Sequence, residues 1–443
     1  MRKMLVAVVW SVLLLVGGSV AAVGKTGVKP AALNTGTAVL EKRVKALEDK
    51  LQAAERWDSM VELYAHGPAV VTSPAMGVRR SAEDGSDLMI NLSSINEDLV
   101  LLRLRQRMDN YAVEQGLPVP ERPIIALSGG VEGVIDYYNE GKKAGIHFSR
   151  AELDIVGEAS PWATAVINMV YEDSAHAAYW PRVNHSRFKL DRGFLTLGQL
   201  NKCPIYLTIG QIFAPFGSYS SYMLTEPLTK SLGRIKNRII LVGYDVGGVW
   251  GNLDAQLYGS SGNFSGNHNL ADHMGFNLNY AYVRNQFKLV LGGGMVGNLA
   301  ESVGIFRVIQ KTSAGPVEME SATRGLSARA KVGYGVFNLS AEYVGAVGSN
   351  GFDINGMVKP KAMQIEGAVD FNLFSRANTL AVGYGRTWQS EVLELPKYVL
   401  FTSYGVSIFK NTLLGLEYKH DKHEASHPAR SQNVVTMQLG VYF

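Results

Sequence analysis

Residues Val434–Phe443 read VVTMQLGVYF. Val435, Met437, Leu439, Val441 and Phe443 fall on one side of an extended chain, and Val434, Thr436, Gln438, Gly440 and Tyr442 on the other. Side chains alternate across a strand with period two. The stretch therefore predicts a strand with one wholly apolar face and one mostly small or polar face. A soluble sheet can carry that pattern. So can a tilted strand that crosses a bilayer, which needs about ten residues. An aromatic final residue on the apolar face suits the closing stave of an outer-membrane barrel. The rest of the chain decides between the two.

Upstream, strands are expected at 125–137, 143–158, 162–172, 186–200, 204–212, 236–250, 252–260, 272–284, 286–297, 324–334, 336–346, 361–373, 378–389, 398–409, 411–420 and 433–443. The expected count is about sixteen, within a range of about 14 to 18, and an even number suits a single-chain bacterial barrel. Alternation is clear in several of them. Met363, Ile365, Val369, Phe371 and Leu373 oppose Gln364, Glu366, Asp370 and Asn372, and Phe337, Leu339, Ala341 and Tyr343 oppose Asn338, Ser340 and Glu342. Connections after even-numbered strands are tiny, as at Ser160-Pro161, Asn201-Lys202-Cys203, Asn285, Gly335 and Lys410. Those after odd-numbered strands are mostly long: 173–185, 213–235, 261–271, 298–323, 347–360, 390–397 and 421–432. Short periplasmic turns and long outer loops are the asymmetry of outer-membrane barrels, and a soluble sandwich has no reason to sort loop lengths by parity. The expected fold is all-β: a transmembrane antiparallel β-barrel over residues 125–443.

Composition agrees. Of 443 residues only 19% are charged, yet the apolar fraction is 47% and no long apolar run follows the amino terminus. Apolar residues dispersed at period two give such an average. Residues 1–22 read as a cleaved signal peptide, with Arg2 and Lys3, an apolar core from Met4 to Val16, and small residues at Val20-Ala21-Ala22. Without Arg2 and Lys3 the formal net charge falls from +4 to +2, which argues against a nucleic-acid partner. The single cysteine, Cys203, cannot form an intrachain disulfide.

Residues 23–38 read as a flexible lead. Their Gly24-Lys25-Thr26 triplet is not a phosphate loop, because Ser19 stands where the upstream glycine belongs. Leu40, Val44, Leu47, Leu51 and Ala54 recur at heptad spacing, so residues 38–57 predict a short, coiled-coil-like periplasmic helix. It either joins copies into a homo-oligomer or packs on its own barrel. Residues 58–124 read as a periplasmic or luminal segment, in which Asp98–Met108 suits either a strand or a helix.

A barrel of this size encloses an aqueous lumen unless something plugs it. Its polar faces would carry Glu152, Asp154, Arg329, Lys331, Glu342, Glu366, Asp370, Glu417 and Lys419. Charges are costly against lipid, so an inward position is expected on energetic grounds alone, and a field across the pore follows from it. The loop 213–235 carries Tyr219, Tyr222, Lys230 and Arg234, a ligand or constriction set in which rings would stack and cations would pair with anionic groups of a solute. The loop 298–323 is a second candidate, with Glu301, Arg307, Lys311, Glu318 and Glu320. His420, His423 and His427 read as solvated loop residues, not metal ligands. There is no nucleophile-elbow motif and no metal-spaced cluster, so neither an enzyme nor a cofactor is expected.

The run LTLGQLNKCPIYLTIGQIFAPFGSYSSYMLTEPLTKSLG, Leu195 to Gly233, resembles the corresponding region of the legiobactin-receptor-like siderophore porins of gammaproteobacterial outer membranes. Its most specific part is Gly210, Gln211, Pro215, Phe216 and Gly217. The resemblance implies an outer-membrane protein that takes up ferric siderophore without a large plug. It supplies no ligand residues position by position. The expected function is passive uptake of a ferric siderophore or similar solute through a charged lumen. The alternatives are a general or ion-selective porin and a structural or adhesive protein acting through its loops. The expected partners are the solute, the outer-membrane bilayer and the barrel assembly machinery, with Phe443 as the assembly signal.

Overall fold

The computed structural model describes residues 70–72, 95–119, 121–139, 143–172, 187–262, 273–312, 322–348, 352–353, 357–409, 411–424 and 431–443. The expected signal peptide, flexible lead and heptad helix over residues 1–57 lie outside them.

A helix, α1 (Glu97–Glu114), precedes sixteen staves. These are β1 (Ile124–Tyr138), β2 (Lys143–Ser160), β3 (Ala163–Glu172), β4 (Arg187–Leu197), β5 (Ile205–Phe213), β6 (Lys236–Gly248), β7 (Gly251–Ser260) and β8 (Met274–Arg284) in the first half. The second half holds β9 (Phe287–Val296), β10 (Arg324–Tyr334), β11 (Phe337–Val347), β12 (Lys361–Leu373), β13 (Arg376–Trp388), β14 (Tyr398–Phe409), β15 (Thr412–Lys422) and β16 (Ser431–Tyr442). Helices α2 (Leu228–Gly233) and α3 (Val303–Thr312) sit in the connections between β5 and β6 and between β9 and β10. The stretch Asp98–Met108 is therefore helical.

Each stave pairs antiparallel with the next, and β16 closes on β1 from Val434↔Tyr138 to Tyr442↔Gly130. Phe443 extends the closure: its N–H donates to Gly129 O at 3.0 Å, and Gly129 N–H donates back to Phe443 O at 2.9 Å. Beyond that point β1 would present an open edge. Val70–Thr72 pairs there in parallel, Val70↔Ile125 to Thr72↔Leu127. An unpaired edge cannot face lipid, since no water is present to satisfy its backbone groups.

The faces alternate as the periodicity predicts. In β6, Asn237, Ile239, Leu241 and Asp245 are buried inside, while Ile240, Val242, Tyr244 and Val246 are exposed on the outer surface. In β8, Asn277 and Asn279 point in, and Phe276 and Leu278 point out. Exposed apolar groups outside and buried polar groups inside invert a soluble protein's core, and they are what a barrel in lipid requires. Tight turns join one end of the strands. Phe374 and Ser375, both at positive φ (53° and 59°), make one such turn in the geometry that matches strand twist. Longer connections emerge at the other end, the loop end.

Candidate functional site

Two inserts occupy the lumen, on opposite arcs of the wall. The first is α1. Eighteen residues of helix reach about 27 Å. Leu99, Leu102, Met108 and Ala112 are buried, yet so are Glu97, Asp98, Arg103, Arg105 and Asp109. A charge removed from water must be paired and hydrogen-bonded, so each of these fixes the helix to a stave. Arg103 Nη2 lies 2.6 Å from Asp245 of β6 and 3.3 Å from Asp254 of β7. Arg105 donates to Thr164 Oγ1 of β3 at 2.8 Å and to the carbonyl of Gly198. Thr208 of β5 donates to Asp98 at 2.6 Å. Arg122 bridges Asp109 (2.9 Å) and Glu158 of β2 (3.1 Å). Burial pushes the Asp98 carboxyl above the usual carboxylate range, against the lowering effect of the Thr208 hydrogen bond.

The second insert is the connection between β5 and β6, residues 214–235. Its neck is closed by Ala214 N–H donating to Ile235 O at 2.9 Å. Phe216 is fully buried, and Gly217 turns the chain at φ +81°, where a Cβ would stand 2.4 Å from the Tyr219 ring. The loop then runs along the inner wall from β10 to β15. Arg329 of β10 donates to Gly217 O, and Ser327 Oγ accepts from Gly217 N–H at 3.2 Å. Glu342 of β11 accepts from Ser218 N–H (2.5 Å), Tyr219 N–H (3.0 Å) and Thr229 Oγ1 (3.0 Å). Glu366 of β12 accepts from Ser221 Oγ (2.5 Å) and Tyr222 N–H (2.9 Å). Ser403 of β14 donates to Tyr222 O at 2.8 Å. Glu417 of β15 accepts from Leu224 N–H (2.6 Å) and Thr225 Oγ1 (2.7 Å). The chain returns through α2, whose Leu228 N–H donates to Gln364 at 3.2 Å. At one strand spacing of about 4.8 Å per stave, the loop covers roughly 24 Å of wall.

Arg192 links the anchoring of α1 to the end of β5, from which the second insert departs. Arg192 of β4, 1% exposed, donates to Glu97 of α1 and lies 3.8 Å from both Glu152 and Asp154. Its guanidinium sits 5.8 Å from the Phe213 ring centroid at the base of the loop. Arg234 (5.0 Å) and Lys236 (6.0 Å) approach the same ring, and Lys236 pairs with Asp191 at 2.6 Å. Cations gathered around one aromatic ring are held by the ring quadrupole and nearby carboxylates together.

The expected site residues fall as follows. Tyr219 and Tyr222 are 1% and 4% exposed, packed between loop and wall, and present no open ring face. Lys230 and Arg234 are half-buried, and Arg234 lies 3.7 Å from Glu226. Arg329, Lys331, Glu342, Glu366, Asp370 and Glu417 all share the inward face of their staves. Three of these carboxylates are anchors for the loop, a role that alternation alone does not reveal. Asp370 is held by Asn338 (2.8 Å) and Thr379 (2.5 Å) near the turn end. In the connection 297–323, Glu301 accepts from Asn237 at 3.3 Å, and residues 313–321 lie outside the described ones. The α1 anchors Arg103, Arg105, Arg192, Asp245 and Asp254 were not expected. For Arg103 and Arg105 the local signal is charge embedded in the apolar run DLVLLRLRQRM; Arg192, Asp245 and Asp254 carry no local signal beyond strand alternation. Gly210, in the stretch that carries the family resemblance, sits at φ +144° with the Gly193 carbonyl 2.4 Å from where a Cβ would stand. Gln211 ties β5 to the carbonyl of Asp191 at 2.9 Å.

No family model matches the chain. Among solved structures, the outer membrane channel DcaP of Acinetobacter baumannii is 13% identical, with a TM-score of 0.46 over 72% of this chain and 97% of that one. The anion-selective porin from Comamonas acidovorans is 14% identical, with a TM-score of 0.48 over 73% and 100%. Among sequences, a UPF0422 protein of Legionella pneumophila (strain Lens) is 33% identical in a match that covers 87% of this chain and 79% of the relative. A UPF0422 protein of Coxiella burnetii (strain RSA 493 / Nine Mile phase I) is 33% identical in a match that covers 85% of this chain and 83% of the relative. On that likeness the chain belongs to the UPF0422 family.

Proposed function

We propose that this protein is an outer-membrane porin through which small polar solutes diffuse passively. The turn end of the barrel faces the periplasm and the loop end faces outward. The solute path runs between α1 on the β3–β7 arc and the loop 214–235 on the β10–β15 arc. The observation that carries this reading is the loop itself, bonded by three carboxylates along the inner wall of a closed barrel. An insert held to the wall narrows a lumen without stoppering it.

The narrower reading, uptake of ferric siderophore, draws support from the resemblance over Leu195–Gly233 and from the cations around Phe213. Burial of Tyr219 and Tyr222 removes the stacking surface it called for, so the general channel is the reading we favour. Single-channel recordings in planar bilayers test both. Stable conductance indifferent to ferric siderophore supports the porin. Block by micromolar ferric siderophore would move the assignment to the specific receptor. A folded barrel with no conductance would refute passive diffusion altogether.

A further inference from the structure

The inner face of the barrel explains the carboxylates, but it does not explain a group of cations on the outer face. Register partners in a sheet share a face. Glu342 and Gln364 point into the lumen, so Tyr343 and Lys361, of opposite parity, point outward. Lys361 pairs with Trp388 and Met363 with Arg386, which places Arg386 and Trp388 outward as well. Tyr398 follows as the partner of Arg386, and Lys422 as the partner of Tyr398. All lie at the loop end of their strands. Toward the turn end, the same face becomes apolar, with Leu339, Ile365, Val382, Leu400 and Leu416 exposed.

Of these side chains, Tyr343, Lys361, Arg386 and Trp388 line, together with the adjoining connections, a cavity of about 570 Å³. Its lining includes Lys359, Lys361, Arg386 and Lys397 against two acids, Glu391 and Glu424. Glu424 is engaged by Lys397 at 2.9 Å. Among the described residues Lys361 and Arg386 have no carboxylate partner, and Arg386 rests 5.1 Å from the Trp388 ring centroid. Lys422 adds a further cation over Tyr398 at 5.9 Å. Tyr384, Tyr398 and His420 continue the aromatic row at 6.4 and 6.2 Å between rings. Aromatic rings mark the level where hydrocarbon gives way to headgroups. Cations stationed just above that level meet anionic headgroups, to which Lys and Arg stems can rise while their methylenes remain against lipid. A cluster of cations at the loop end of the outer face, with an apolar face below it, matches a molecule with phosphate above and acyl chains beneath.

We propose that the outer face of β11–β15 at the loop end binds a phosphorylated glycolipid of the outer leaflet, with Lys361 and Arg386 on its phosphate. The proposal rests on the outer-membrane orientation given above. The test uses the full-length protein in detergent and bisphosphorylated lipid A as probe, with bound lipid read by native mass spectrometry. Wild type is expected to retain the lipid. The K361Q/R386Q pair is expected to weaken binding about thirtyfold, at roughly fivefold for each cation near an anionic surface. Arg386→Lys, which keeps the charge, should retain most of it. Enzymatically dephosphorylated lipid A on the wild-type protein should bind as weakly as the intact lipid does on the double variant, an arm that needs no mutant to fold. Equal binding of the dephosphorylated lipid, or no loss in K361Q/R386Q, overturns the proposal. Displacement of the lipid by millimolar inorganic phosphate that itself binds also overturns it, in favour of a small-anion site. Conductance measured on the same preparation separates the two readings, because a conducting barrel that ignores lipid phosphate refutes only this one.

Discussion

Glu342→Ala removes the acceptor for Ser218 N–H, Tyr219 N–H and Thr229 Oγ1 at the first bend of the inserted loop. Each lost bond is counted at a net value of about 1 kcal/mol, which is a lower bound for donors as buried as these. Three donors give about 3 kcal/mol, or about 150-fold in the ratio of docked to undocked loop. Glu366 and Glu417 still hold residues 221–225, so the change is confined to the segment around 217–219 and to α2. The expected result is a larger and noisier single-channel conductance, with faster amide exchange at Ser218 and Tyr219. The barrel should remain folded, since Glu342 takes no side-chain part in strand pairing. Glu342→Gln keeps an acceptor oxygen and is expected to fall between wild type and Ala. If the Ala variant is folded and shows unchanged conductance and unchanged amide protection, the carboxylate is not an anchor and the constriction reading fails with it.

Arg192→Leu leaves Glu97, Glu152 and Asp154 facing one another without their shared cation, at a cost of about 3 kcal/mol, and faster proteolysis within residues 95–119 should report the undocked helix. Burial raises the Asp98 pKa, so the docked helix holds that proton more tightly than the free chain does. Docking of α1 should therefore tighten as pH falls through the window between the ordinary carboxylate pKa and the raised one, and weaken as pH rises through it. Asp98→Asn should remove this dependence while keeping an acceptor for Thr208; a pH profile identical to wild type, measured by amide exchange in α1, would contradict the assignment. Deleting Phe443 removes both hydrogen bonds to Gly129 and should lower the yield of folded barrel on unheated gels, leaving the conductance of the molecules that do assemble unchanged.

Strand positions, their parity and the fold class were legible because they are local. Whether Gln364 and Met363 take opposite faces depends only on adjacent backbone geometry, and sixteen such stretches with length-sorted connections leave little besides a closed barrel. The inward placement of Arg329, Lys331, Glu342, Glu366, Asp370 and Glu417 was legible for the same reason. Their work was not. Glu342 meets Ser218 across 124 positions of chain, and Arg103 meets Asp245 across 142. No periodicity encodes which loop or helix returns to a given carboxylate, because that depends on closure, register and the space left in the lumen. The sequence marked α1 as ambiguous between strand and helix, since its charges break the apolar pattern. Inside the barrel those charges become its attachments. The outer cationic face is likewise a product of register: Lys361, Arg386 and Lys422 are scattered along the chain and meet only because four adjacent staves align their loop ends.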